Sequence, residues 1–384
     1  MTDASLQRTP FHEVLAPLNK AEAWERWQGH VTVTHFYDAA QEYAAIRNSA
    51  SLYDISPMLK YRVTGPDAAR FINRLVTRDI DRCRIGRCFY TPWCDGEGHI
   101  IEDGTIFRFT EDVFQINCAE HNLTWFLATA DGLDVAIEDV SARLAALALQ
   151  GPLSRGILLN AGIREAEKLR YFGLVETCMD DIPLTLTRTG FTGDLGYELW
   201  VEPEHALELW RHLMKAGGAR GITPIGSTAL NIARVEAGHI QVHSEYQDAR
   251  TSVDISEKRS PFELGLHWAV DFRKPHFNGR RALLDRRNRD AGLRLVGLEL
   301  PGRRPAVDSV LYRRRRIVGQ TTAAVWSPLL KKSIALALVE ARWSGIGTTL
   351  QAEIYFRREL RLLRSGETAR VVSHRFIDLP RRRA

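Results

Sequence analysis

No window of the chain approaches about 18 uninterrupted apolar residues, so no segment has the length and character of a membrane-crossing helix. The opening residues MTDASLQRTPFHEV hold no apolar stretch of the secretory kind and too few arginines for a transit peptide, so a cytoplasmic protein is expected. Cysteine is scarce. Cys83, Cys88, Cys94, Cys118 and Cys178 are five in number, with no C-x-x-C pair, and only His99 lies close to the first three. That pattern argues against a disulfide framework and against a zinc site, so no metal is expected and a reducing compartment fits. Disorder is also excluded, because 45% of the 384 residues are hydrophobic and 26% are charged, enough core for two or three domains. The net charge of +5 suits nucleic acid and polyanionic small molecules alike. The arginine runs do not tip that balance: Arg313 to Arg316 read as a solvated hairpin turn and Arg381 to Arg383 as a solvated tail, so neither nucleic acid nor membrane is an expected partner.

What the chain does hold is a distinctive stretch at 188–202, Arg-Thr-Gly-Phe-Thr-Gly-Asp-Leu-Gly-Tyr-Glu-Leu-Trp-Val-Glu. Gly190, Gly193 and Gly196 permit positive φ and a close approach of the backbone to something bound. From Tyr197 the side chains alternate, with Tyr197, Leu199 and Val201 on one face and Glu198, Trp200 and Glu202 on the other. A carboxylate beside an indole makes either a platform for a flat heterocycle bearing N–H donors or the solvated face of a hairpin.

Taken in order, residues 11–50 read as helical pieces around a polar, aromatic stretch from His30 to Tyr43, with the most regular helix near Gln41 to Asn48. A strand at Tyr61, a helix bearing Phe71, Ile72 and Leu75, and strands at 88–93, 99–109 and 113–118 follow, then a helix near 123–130 and a strand at 135–140. In the strand at 99–109, Asp103 shares a face with Ile101, Thr105, Phe107 and Phe109. A carboxylate there is costly unless paired, hydrogen-bonded or used, and an Asp bonding its own backbone beside Gly104 is the alternative. Further on, a strand at 144–150 meets Gly151-Pro152 and a helix at 153–160; a helix at 204–216 is closed by Gly217; and Ser227 caps a helix at 228–237 in which Arg234 and Glu236 need polar destinations. From Leu293 six short strand patterns make an all-β domain.

Seven segments together resemble the signatures of the glycine-cleavage T-protein family of tetrahydrofolate-dependent aminomethyltransferases: Arg188-Thr-Gly-Phe-Thr-Gly-Asp-Leu-Gly-Tyr-Glu, Gly98-His-Ile-Ile-Glu-Asp-Gly, Leu149-Gln-Gly-Pro, Ala233-Arg-Val-Glu-Ala-Gly, Pro261-Phe-Glu-Leu-Gly-Leu, Phe277-Asn-Gly-Arg-Arg-Ala-Leu and Trp326-Ser-Pro-Leu-Leu-Lys-Lys. The resemblance implies an α+β fold, a three-domain cloverleaf around a central folate-binding cavity with a C-terminal all-β barrel. It divides the chain into 1–50 plus 141–225, a folate-binding α+β domain; 51–140 plus 226–285, a ferredoxin-like α+β domain completing the cavity; and 286–384, the barrel. The family's pterin-binding glutamate falls on Glu198, its central aspartate on Asp103, its helix arginine on Arg234 and the tyrosine before the aspartate strand on Tyr90. Asn117 resembles a recurring Asn-Ala of the family, Trp200 lies one pleat from Glu198, and Arg304 stands in a segment that aligns only loosely. Asp103 is the expected catalytic residue; the other six are expected to bind the cofactor, tetrahydrofolate, whose tail is often polyglutamylated and would give the positive charge a use.

Departures shape the expected reaction. The family's usual N-terminal block is not recognisable, and Leu52-Tyr-Asp-Ile-Ser-Pro-Met-Leu-Lys-Tyr-Arg-Val-Thr-Gly looks more like the divergent branch that includes tetrahydrofolate-dependent O-, N- and S-demethylases. The leading expectation is methyl transfer from a small methylated compound to tetrahydrofolate. The alternative is a glycine-cleavage aminomethyltransferase, which needs a lipoyl carrier protein as partner. A folate-binding iron–sulfur maintenance protein is the least favoured reading, since the segment starting at Glu257 lacks that branch's cysteine.

Overall fold

The computed structural model describes residues 6–287, 292–358 and 361–383. Two sheets and a barrel make up its frame. The first sheet has six strands in the spatial order Leu174–Met179, Ile182–Thr187, Gly196–Val201, Ala145–Gln150, Ala50–Asp54 and Ile222–Pro224. Its outer face is covered by helices Ser154–Asn160 and Ala206–Gly217, in the second of which Ala206, Leu209, Trp210 and Leu213 recur at helical spacing and bury against Leu147, Leu149 and Leu199.

The second sheet orders its five strands as Arg87–Cys94, Ile100–Arg108, Val113–Cys118, Leu59–Thr64 and Ala136–Asp139. Every strand contact in it is antiparallel. Tyr61, Ile106, Phe114 and Ile116 pack on helices Ala68–Leu75 and Leu123–Thr129 through Phe71, Ile72, Leu75 and Phe126. Because side chains alternate, Cys88 and Phe107 point the opposite way. They join Ala146, Ala148 and Trp200 of the first sheet, and Ala229 and Ala233 of helix Ser227–Ala237, in one buried cluster. Both sheets are therefore closed by helices outside and turned toward each other inside.

The expected C-terminal barrel is present, a closed ring of Leu293–Leu300, Lys332–Glu340, Arg316–Ser327, Val310–Arg313, Thr349–Arg358 and Arg361–Val372. Arg313 pairs with Arg316 across a turn in which Arg314 has φ 58, so this arginine run is a hairpin turn as read.

Other local readings are corrected. Residues 11–50 are not chiefly helical: Ala23–Trp27 and His30–His35 form an antiparallel hairpin, and the main helix is Ala39–Asn48. The hairpin turns on Gln28 and Gly29, at φ 45 and 75, and positive φ at both central positions matches the right-handed twist of the strands. Ser227 lies inside its helix, with Gly226 as the N-cap, and Gly217 is likewise helical, the left-handed residue beyond it being Gly221 at φ 68. The C-terminal arginines are not simply solvated. Arg381 donates to both oxygens of buried Asp194, at 2.7 and 2.8 Å, and Asp194 also pairs with Arg47, which bonds Glu236 at 2.7 Å. Glu236 accepts from Tyr43 at 2.6 Å and from Ser327, so one buried charge network ties the N-terminal helix, helix Ser227–Ala237, the barrel and the tail.

Candidate active site

Register places Asp103. Across the second sheet Pro92 is opposite Asp103, Tyr90 opposite Thr105, and Thr105 opposite Asn117, so Tyr90, Asp103, Thr105 and Asn117 share the inner face. Asn117 is fully buried; its Oδ1 accepts from Gln115 at 2.7 Å and its Nδ2 reaches Thr105 Oγ1 at 3.4 Å. Asp103 is half-buried, and the Tyr246 hydroxyl accepts its backbone N–H at 3.1 Å while donating to its Oδ1. Burial drives the Asp103 carboxyl up to about 6; the Tyr246 and Tyr90 hydroxyls pull it down, and the Glu245 charge pushes it up.

The adjacent carboxylate has a different task. Glu102 is buried and accepts from the backbone of Ala119 and Glu120, at 2.5 and 3.0 Å, and from the Asn122 amide, so it fixes the turn after the third strand. Among the described residues the Asp103 carboxyl has no such backbone partners beyond its own residue, and it faces the Tyr246 and Tyr90 hydroxyls instead.

Tyr246 comes from the irregular stretch that follows helix Ser227–Ala237. Arg234, buried in helix Ser227–Ala237, holds that stretch: it donates to Asn231 Oδ1 at 2.9 Å, His239 O at 3.1 Å, Ser244 Oγ at 3.0 Å and Glu245 Oε2 at 2.9 Å. Glu245 is itself buried and accepts from Gln241 N at 2.8 Å and from Thr322 Oγ1 of the barrel at 3.0 Å. The structure thus connects Arg234 to Asp103 through the loop that carries Tyr246.

On the first sheet, Glu198 is opposite Ala148 and Thr187. It is half-buried, receives a 3.4 Å bond from Thr187 Oγ1, and forms no ion pair among the described residues. Burial raises its carboxyl to about 7, against the pull of the Thr189 and Thr187 hydroxyls. The glycines before it serve a neighbour rather than an empty space. A Cβ on Gly190 or Gly196 would stand 1.9 or 2.2 Å from Gln150 Oε1, whose amide is bonded to Thr189 O and Tyr197 O at 3.2 Å. Of the three glycines only Gly193 has positive φ, at 71, and it packs on Ala237.

Trp200 is 2% exposed and meets Phe107 edge-on, with ring centres 5.5 Å apart at 85°. It closes the seam between the sheets, while the Glu198 charge reaches Cys88 on the opposite one. Tyr90, Asp103 and Asn117 are therefore gathered on one wall, with Glu198 and Trp200 on the other. Arg304 stands apart: it is an exposed barrel residue whose guanidinium lies 3.6 Å above the Phe356 ring.

Residues 12–274 match the family model for the GCVT N-terminal domain, and residues 294–378 match that for the glycine cleavage T-protein C-terminal barrel domain. The chain is 29% identical over 358 residues to an aminomethyltransferase of Desulfitobacterium hafniense (strain Y51), covering 91% of this chain and 94% of the relative. It is 32% identical over 333 residues to the aminomethyltransferase of Clostridium botulinum (strain Kyoto / Type A2), covering 85% and 88%. The glycine cleavage system aminomethyltransferase T of Bartonella henselae superposes with a TM-score of 0.85 over 97% of this chain and 99% of that one, at 23% identity, a likeness of fold. No helix among the described residues is long and apolar enough to cross a membrane.

Proposed function

Because the chain belongs to the glycine-cleavage T-protein family, whose aminomethyltransferases use tetrahydrofolate, and is thus a folate-dependent transferase, we propose that it moves the carbon of an aminomethyl group from the sulfur of a lipoyl-type carrier to tetrahydrofolate, the C–S and C–NH2 bonds breaking as two C–N bonds to the folate form, with the carrier's free thiol and ammonia as the leaving groups. One observation carries this reading. Two half-buried carboxylates, Asp103 and Glu198, stand on opposed inner walls with hydroxyl partners and, among the described residues, no cation at ion-pair distance, each lifted toward neutrality by burial.

Glu198 fits the cofactor's recognition edge. A carboxylate lacking an ion-pair partner and weakly held by Thr187 is ready to accept N–H donors, and charge-assisted bonds of this kind contribute about 1.5–3 kcal/mol each. When bound, tetrahydrofolate supplies the nitrogen nucleophile that takes up the carbon. Asp103, near its midpoint at mildly acidic pH and mostly ionised above it, accepts a proton from that nitrogen and stabilises positive charge as it develops on the transferring group. Tyr246 and Tyr90 orient its carboxylate, and Asn117, Trp200 and Arg234 keep the two walls in place. Holding both reactants between fixed walls provides the larger share of the acceleration, since alignment is worth about 7–11 kcal/mol in favourable cases.

A second reading has its own observation. Trp27 stacks on Tyr53, with ring centres 6.2 Å apart at 21°, and packs into the central cluster with Met58, Phe109 and Phe172. Such an apolar, aromatic surround suits a small methylated donor that arrives without a carrier arm. The test is a product-resolved assay in which the protein and tetrahydrofolate are incubated with an aminomethyl-loaded lipoyl carrier, or with a panel of O-, N- and S-methylated compounds. Mass-resolved 5,10-methylene-tetrahydrofolate with the carrier supports the first reading, and 5-methyl-tetrahydrofolate with a methylated donor the second. Neither product, together with no folate binding, overturns both.

A further inference from the structure

Tyr90 leads from the Asp103 wall to the surface. Its ring stacks on Trp268, with centres 6.0 Å apart at 27°, and Trp268 is 52% exposed. Arg78 completes the group: its Nη1 donates to Tyr90 O at 3.0 Å, and its guanidinium carbon lies 3.8 Å from the Phe89 ring centre and 5.3 Å from that of Trp268. Both segments are braced. Lys274 Nζ donates to Val76 O at 2.5 Å and Arg78 O at 2.9 Å, Thr77 Oγ1 donates to Ala269 O at 2.6 Å, and Asp271 N donates to Thr77 O at 3.0 Å.

Among the described residues the arginine at this place is free of a direct ion pair, with only the more distant Asp271 carboxylate acting in its favour. Arg78 is half-buried and has no carboxylate at ion-pair distance among the described residues, whereas the nearby acids are engaged, Asp79 with Arg82 at 3.5 Å and Asp271 with Arg273 at 2.5 Å. A guanidinium withdrawn from water beside an exposed indole favours a ligand that brings both a flat ring and a negative charge. A small aliphatic acid would satisfy the arginine and leave the indole bare.

We propose that Arg78 and Trp268 form the seat for the benzoyl-glutamate arm of folate, with a glutamate carboxylate on Arg78 and the arene against Trp268. This rests on the folate reading of the Asp103 and Glu198 walls and assigns the cofactor's exit path past Tyr90. The seat selects for the arm and leaves pterin recognition to Glu198.

The experiment compares tetrahydrofolate with 6-methyltetrahydropterin, which carries the ring system and lacks the arm, by anaerobic calorimetry. Wild-type protein should prefer tetrahydrofolate. In Arg78→Gln that preference should fall about ten-fold, the equivalent of one charge-assisted bond, while affinity for 6-methyltetrahydropterin stays at the wild-type value and certifies an intact site. Arg78→Lys should restore part of the preference, and Trp268→Leu should reduce it without altering the pterin affinity. A wild-type preference in Arg78→Gln overturns the seat and leaves the folate reading standing. Wild-type protein that binds neither compound overturns both.

Discussion

The Tyr246 hydroxyl accepts the backbone N–H of Asp103 at 3.1 Å and donates to the same residue's carboxylate, although the two are 143 positions apart in the chain. One side chain thereby fixes the strand at Asp103 and the rotation of its carboxyl group. Next to it in sequence, Glu245 acts in the opposite electrostatic sense, raising the Asp103 carboxyl that Tyr246 lowers.

That opposition gives a paired prediction. Tyr246→Phe removes a hydrogen bond to the ionised form, so the Asp103 carboxyl should rise above about 6 and the acid limb of the kcat profile should move to higher pH. Glu245→Gln removes a like charge and should move the same limb to lower pH. Measuring kcat against pH for both variants checks the assignment, because a merely structural loss would lower the plateau and leave the limb in place. Limbs shifting in the same direction would contradict it.

Glu198 should be costly to the empty protein. Its carboxyl is raised from 4.5 to about 7, so folding disfavours its ionised form; that penalty is absent below about 4.5 and complete above about 7. Glu198→Gln should therefore be more stable than wild type at pH 8, by at most about 3.5 kcal/mol at about 1.4 kcal/mol per unit, with the difference vanishing at pH 4. The same variant should bind tetrahydrofolate at least about ten-fold more weakly, through loss of a charge-assisted bond. Melting curves across pH, with and without tetrahydrofolate, read both effects; a variant less stable than wild type at pH 8 would contradict the electrostatic account.

How much of this was legible beforehand follows the range of the interactions. The alternation from Tyr197 to Glu202 is local, and it put Glu198 and Trp200 on one face correctly. The cost of a carboxylate at Asp103 was likewise readable from its strand neighbours, but its partner Tyr246 lies in an aperiodic loop whose shape is set by the Arg234–Glu245 pair. Glycine spacing at 190, 193 and 196 reads as close approach to something bound, whereas what approaches Gly190 and Gly196 is the Gln150 side chain of the chain itself, a contact set by tertiary packing that spacing does not reveal. The Ala23–His35 hairpin was missed because His30, Thr32 and Thr34 on one side and Glu25 and Arg26 on the other dilute the apolar alternation; Gln28-Gly29 was the available turn signal. Arg381 looked like tail charge because Asp194, its partner, is 187 positions away.

Breaking the Arg234–Glu245 pair should be severe. Both side chains are buried, and Arg234→Met would leave Glu245 a buried charge without its cation, a situation that costs about 3–5 kcal/mol. Removing both charges, as in Arg234→Met with Glu245→Leu, should recover much of the loss while leaving Tyr246 less well held. Urea denaturation should show non-additive effects in the double variant, with catalysis remaining low even where stability returns. Additive losses would mean that the two side chains act independently.

Gly190 offers a sharper steric test of the strand turn that presents Glu198. An added Cβ would stand 1.9 Å from Gln150 Oε1, far inside contact distance, so Gly190→Ala must expel the Gln150 side chain from its bonds to Thr189 O, Tyr197 O and Thr192 Oγ1. Overpacking of this kind costs about 1–3 kcal/mol, and stranding those buried partners adds to it. Gln150→Ala alone should also destabilise, by vacating the same space. Combined, the two changes are complementary: the new methyl enters the volume that Gln150 leaves. The double variant should therefore be more stable in denaturant than the sum of the single losses implies, and folate affinity should return with it as the turn recovers its shape. Strict additivity would show that Gln150 is not what confines residue 190 to glycine.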